Sequence, residues 1–169
     1  PEAYDIYHDP SVVRLFDSLG VLAPNEVEAR YGILNETYMK KLQIEARVIG
    51  DICLNHVIPA AVKYQNILIE NVSGMKDIFG DAYVDYCSSE IETLKQISLC
   101  ISNISRDVEA LVEARKIANR VEDIAARAKM YSHDVKDMMD KIRKSADSLE
   151  MLIDDELWPL PKYRELLFF

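Results

Sequence analysis

Glycine and proline are scarce in this sequence, at five and six residues of 169. With 49% hydrophobic and 29% charged residues, that scarcity points to a compact helical protein. No apolar run approaches the roughly 20 residues of a membrane span. No charged–apolar–small signal opens the chain. There is no basic excess. The net charge of −9 is spread along the sequence, which argues against a nucleic-acid surface and against anionic membranes. Glycine-rich phosphate loops and Gly-x-Ser-x-Gly elbows are absent. Cys53, Cys87 and Cys100 form an odd set without metal-ligand spacing, each expected inside a helix as a small buried hydrophobe. The expectation is a soluble, cytoplasmic chain. Its start at Pro1 without an initiator Met is compatible with an excised domain.

What the sequence does hold is helical periodicity. In Pro24–Asn71, residues Val27, Tyr31, Leu34, Tyr38, Leu42, Ala46, Ile49 and Cys53 fall on one side. A helix of that span would be roughly 70 Å long. Pro59 lacks an N–H and crowds the carbonyl of Asn55, so a kink is expected between Asn55 and Pro59. The apolar pattern resumes at Ala60, Tyr64, Ile67 and Leu68, and fraying is expected near Val72-Ser73-Gly74. A connector with one turn around Met75–Phe79 would then lead to Gly80.

A second long helix is expected from about Asp81, with a heptad seam of Leu94, Ile97, Ile101, Ile104, Val108 and Leu111. Glu113–Val121 holds the turn into a third helix, with Asn119 as a weak breaker. The third seam is Val121, Ile124, Ala128, Tyr131, Val135, Met138, Ile142, Leu149 and Leu152, with Ser145 its polar exception. Three long seams with short connections predict an all-α fold, an antiparallel bundle of three long helices with the first kinked at Pro59.

Two flanking segments complete the division. Residues 1–23 read as an extended lead-in, PEAYDIYHD, lying on another surface, followed by a short helix. That helix is capped by Asp9, opened by Pro10 and closed by Gly20. Residues 24–153 form the bundle. Residues 154–169 are an extended tail, because Pro159 and Pro161 push their predecessors out of helical conformation. Its Trp158, Leu160, Tyr163, Leu167, Phe168 and Phe169 would be costly left in water and should find a groove, on the bundle or on a neighbouring domain.

Candidate chemistry is thin. A di-iron bundle needs Glu-x-x-His on two helices. At that offset His8, His56 and His133 follow Asp5, Cys53 and Met130. His56 reads as a partly buried histidine bonded to a carbonyl freed by Pro59, and His133 as solvent-exposed. Glu26, Glu28, Glu36 and Glu45 with Arg30, Lys40, Lys41 and Arg47 form a solvated, salt-bridging face. No catalytic, cofactor-binding or metal residue is assigned.

Several stretches carry a resemblance. They are Pro1-Glu-Ala-Tyr with Val13-Arg-Leu-Phe and Leu19-Gly-Val, then Glu28-Ala-Arg-Tyr, Ile44-Glu-Ala and Val57-Ile-Pro-Ala-Ala-Val-Lys-Tyr, and the tail Leu157-Trp-Pro-Leu-Pro-Lys-Tyr-Arg-Glu-Leu-Leu-Phe. In this order they resemble the C-terminal helical domain of type III glutamine synthetases, over nearly the whole chain and most thinly from Gly74 to Val108. The resemblance implies a parent enzyme that joins glutamate and ammonia using ATP and Mg²⁺. It implies large double-ringed oligomers with active sites between subunits. Its catalytic residues would lie upstream of Pro1, so none is carried over. The implied partners are that catalytic domain and neighbouring subunits.

Two function classes compete with a non-catalytic structural or assembly domain of such an enzyme. Heptads and tail alone would also suit a spectrin-like scaffold binding partner helices, for which tandem repeats of the bundle would speak. A bundle metalloenzyme would require stoichiometric iron or manganese.

Overall fold

The computed structural model of the chain describes residues 1–167, apart from the side chains of Tyr163 and Arg164. The described residues are all-helical, as expected, and contain no strand. No helix among them is long and apolar enough to cross a membrane.

Residues Glu2–His8 form a 3₁₀ segment, not the extended lead-in that the missing periodicity suggested. None of its side chains is fully buried, so no apolar stripe was there to be seen. Helix α1 (Pro10–Ser18) is built as its sequence dictates. The Asp9 carboxylate accepts from the Ser11 N–H at 2.8 Å, and Pro10 occupies the first turn. Gly20, at φ 64°, closes the helix. Its N–H donates to the Asp17 carbonyl, and the Val21 N–H donates to the Phe16 carbonyl. That is the paired Schellman pattern, which needs a left-handed residue at this position.

Helix α2 (Pro24–Ile52) opens at proline, and Glu26 reaches back to accept from the Ala23 N–H at 2.7 Å. Pro59 is accommodated by a π-helical turn, Cys53–Val57, in which the Ile58 N–H donates to the Cys53 carbonyl five residues back. Helix α3 (Ile58–Phe79) follows directly. Fraying near Val72–Gly74 does not occur. A Cβ at Gly74 would meet nothing within 4 Å, and its φ is not positive, so this glycine costs only helix propensity. The helix stops instead at Gly80, φ 60° and ψ −138°, a conformation reserved for glycine.

A 3₁₀ turn (Gly80–Ala82) and the one-turn α4 (Tyr83–Tyr86) lead to a break at Cys87, which therefore lies between helices. Helix α5 (Ser88–Ala118) ends where the weak breaker Asn119 stands. Asp123 then caps α6 (Ile124–Met130), accepting from the Ala126 N–H at 2.7 Å. A second π-turn, Tyr131–Val135, joins α6 to α7 (Lys136–Leu152) without any glycine or proline to announce it. Past Ile153 the backbone leaves the helix, but α8 (Tyr163–Leu166) gives the tail one helical turn where extended chain was expected. Phe168 and Phe169 lie outside the described residues.

The chain divides into two compact units. The first comprises residues 1–47 and 110–139. Its core holds Val27, Met39, Leu42, Leu111, Tyr131 and Val135. The second comprises residues 48–109 and 140–169. Its core holds Cys53, Val57, Ile97, Ile104, Ile142 and Leu149, and Trp158 joins them at 8% exposure. Most positions of the expected seams are buried or half-buried, but Ile124 of the third seam and Ile67 past the kink are exposed, at 41% and 51%. Leu160 and Leu167, by contrast, stay exposed.

Candidate functional site

The densest polar constellation in the first unit surrounds Asp5. One of its carboxylate oxygens accepts from the Tyr31 hydroxyl at 2.9 Å and the other from the Lys129 ammonium at 2.8 Å. Glu2, one 3₁₀ turn earlier, meets His133 Nε2 at 2.7 Å. The aromatic residues of the same segment complete the contact. His8 lies over Tyr31 with ring centroids 4.0 Å apart, and Tyr4 meets Tyr38 edge-on at 6.5 Å. Tyr38 in turn donates to the Ser132 hydroxyl at 3.1 Å. A 3₁₀ helix places residues three apart on one side, which is why Glu2 and Asp5 point together. The segment does lie on another surface, that of α2 and the Lys129–His133 stretch.

The electrostatics follow from these contacts. Lys129 and then Tyr31 hold the Asp5 carboxyl below its usual range. Asp5 holds Lys129 above its own. Burial, with Asp5 second, raises the Tyr31 phenol. Glu2 is lowered by its own backbone N–H and then by His133. The constellation ties the N-terminal segment to α2 and to the Lys129–His133 stretch.

In the second unit, a cavity of about 740 Å³ is lined by Tyr64, Glu150, Ile153, Asp154, Asp155 and Lys162, among others. Lys162 donates to the Ile153 carbonyl at 3.0 Å and pairs with Asp155, tying the tail to the end of α7.

The histidines are scattered. His8 and His133 serve the N-terminal segment, and His133 is exposed as expected yet paired. His56 is exposed and not the partly buried, carbonyl-bonded residue that Pro59 suggested, because the π-turn leaves it on the outer side. Among the described residues, no three His, Cys, Asp or Glu side chains are grouped to hold a metal ion. On the charged face of α2, Lys40 pairs with Glu36 at 2.6 Å. The Asp5 clamp was missed by sequence reasoning. Its only sign was two acids three apart in an aromatic stretch without apolar period.

Comparison with known proteins gives these elements a context. Residues 1–76 match the family model of the glutamine synthetase C-terminal domain. The chain is 42% identical over 169 residues to a glutamine synthetase of Bacteroides fragilis (strain YCH46), covering 99% of this chain and 23% of that protein. It is 30% identical to the type-3 glutamine synthetase of Dictyostelium discoideum, with 99% and 23% covered. A glutamine synthetase of Butyrivibrio fibrisolvens is 26% identical, with 99% and 24% covered. The chain thus spans about a quarter of the length of the curated relatives it matches. With residues 1–76 fitting the family model and the full length aligning with about a quarter of these enzymes, the chain is homologous to the C-terminal domain of glutamine synthetases.

Proposed function

We propose that this chain is the non-catalytic C-terminal domain of a type III glutamine synthetase, and that its role is structural, in the packing and assembly of the enzyme. The observation that carries the reading is the alignment of essentially the whole chain with about a quarter of a glutamine synthetase at 42% identity. The parent chain ligates glutamate and ammonia with ATP hydrolysis, and it does so in the cytoplasm. ATP and Mg²⁺ belong to the upstream catalytic part. No residue of this chain is assigned to them. The partners are that catalytic domain and neighbouring subunits of a large oligomer. The same proposal includes an antiparallel three-helix bundle with an aromatic tail, which the three buried seams support.

The physical basis for a structural role is the investment of this chain in internal order. Its charged groups are matched with one another at the Asp5 clamp and at Lys162. The test is a longer chain that includes the upstream coding sequence. It should form glutamine from glutamate, ammonia and ATP, while residues 1–169 alone should not. A longer chain that forms no glutamine overturns the family function. An assembly role predicts that removing residues 1–169 changes the sedimentation coefficient of the parent oligomer; unchanged sedimentation overturns that part.

A further inference from the structure

The corner after α3 exposes several large apolar side chains of the second unit. Ile78 is 74% exposed, Phe79 42%, Val84 49% and Tyr86 60%. Gly80, at positive φ, turns the chain sharply, and the exposed Phe79 and Tyr86 rings lie tilted against each other with centroids 4.6 Å apart. Two aromatic rings and two aliphatic side chains grouped in water are the usual mark of an interaction surface.

Charge narrows the partner. Asp77, Asp81 and Asp85 are exposed on the same short stretch, and Lys76 is its only cation. Lys76 already places its ammonium 5.8 Å from the centroid of the Tyr83 ring. Within its own chain the corner thus already seats one cation on an aromatic ring, that of Tyr83. Phosphate backbones and acidic lipid would be repelled. So would the same corner of a second copy, which carries the same three carboxylates.

We propose that the Lys76–Tyr86 corner is a docking surface for a cationic, apolar protein segment, whose arginine or lysine side chains meet Asp77, Asp81 and Asp85 while its aliphatic side chains cover Ile78, Phe79 and Tyr86. Residues 77–86 of the corner lie past the last residue matched by the family model, residue 76. The inference does not depend on the enzyme reading, because it rests on exposure and charge alone.

The experiment is a titration of the isotopically labelled 169-residue chain with two amphipathic helical peptides, one of leucine and arginine, the other of leucine and glutamate. The leucine–arginine peptide is expected to shift the amide signals of residues 76–86, with an affinity that falls as salt rises. Replacing both Phe79→Ser and Tyr86→Ser should weaken it about tenfold, as loss of aromatic anchors does. The triple change Asp77→Asn, Asp81→Asn and Asp85→Asn touches only exposed side chains. It should weaken binding severalfold and flatten the salt dependence. Equal binding of the glutamate peptide, shifts confined to other residues, no binding of either peptide, or self-association of the chain through this corner would each overturn the proposal.

Discussion

Lys129 donates to the Asp5 carboxylate across 2.8 Å, joining positions 124 residues apart in the chain. The same carboxylate takes the Tyr31 hydroxyl, so one side chain fixes the N-terminal 3₁₀ segment to two helices of the first unit. Both members of the pair are about two-fifths exposed, at 41% and 44%, and exposed pairs contribute little to global stability. Asp5→Ala is therefore expected to leave the melting temperature nearly unchanged while hydrogen exchange at the amides of residues 4–7 accelerates severalfold. Unaltered exchange there would show that the aromatic contacts alone hold the segment.

The clamp should also have a pH window. The carboxyls of Glu2, Asp5 and Asp9 are all held below their ordinary range, Asp9 by the Ser11 hydroxyl and then its N–H. Such groups favour the folded contact fully above the usual carboxylate value of about 4 and lose that contribution as pH falls through the lowered values. Lys129 is raised, so its contribution is complete below about 10.4 and fades as pH climbs through the higher folded value. Amide relaxation of Tyr4 to Tyr7 should report a rigid segment from about pH 5 to 9, loosening at both ends. Equal rigidity at pH 2 would contradict this.

Tyr131 and Asn119 should respond asymmetrically. The Tyr131 hydroxyl, in a side chain with no exposed surface, donates to Asn119 Oδ1 at 2.9 Å. Asn119 is exposed, so in Tyr131→Phe its oxygen regains water, at a cost of about 0.5–1 kcal/mol. Asn119→Ala strands a buried hydroxyl and should cost more, about 1–3 kcal/mol. Urea midpoints at unchanged slope would check the order; the reverse order would place the hydroxyl in contact with water.

Trp158, the only tryptophan, is 8% exposed, but its indole N–H has no acceptor among the described residues. Truncation to Ala should cost about 3–5 kcal/mol. Trp158→Phe should cost well under half as much, because it also removes a buried donor that has no partner. Chemical denaturation followed by circular dichroism gives both values. Near-equal losses would mean that the indole nitrogen is satisfied, by water or otherwise.

The thiols should label in order of burial. Burial pushes Cys53 up to about 11, and it raises Cys87, with Glu90 second, and Cys100 as well. Cys100 is the least enclosed of the three. With an aromatic disulfide reagent at pH 8, Cys100 should react first, and Cys53 and Cys87 only on unfolding. Rapid labelling of Cys53 would mean that α2 and α3 open at their junction.

Much of the helical order was legible because it is set locally. Pro10, Gly20 and Pro24 act through their own backbones and Asp9 through a carboxylate that reaches two residues on, and each, like Asn119, stands at a helix boundary. The seams were legible because burial follows period; Ile97, Ile104, Ile142 and Leu149 all have 0% exposure. What escaped was decided by neighbours distant in sequence or by open space. Fraying is the sequence expectation near Val72–Gly74, yet nothing crowds Gly74 and the helix runs through. The Glu2–His8 segment draws its conformation from Tyr31, Lys129 and His133, which no local pattern can specify. The π-turn at Tyr131–Val135 contains neither of the residues that usually signal a disturbed helix.

The π-turn at Cys53–Val57 also sets a counting rule for the chain. It holds one residue more than an α-turn, and each helical residue advances the side-chain direction by about 100°. Leu54, Asn55 and His56 all face solvent there, so any one of them is sterically removable. Losing one would convert the turn to regular helix while leaving Ile58–Phe79 in nearly the same angular register, because the wide turn already absorbs the extra residue. Ala60, Ala61 and Leu68 would keep their buried positions. Deletion of a single residue should therefore be tolerated far better at this turn than within the regular helix on either side of it.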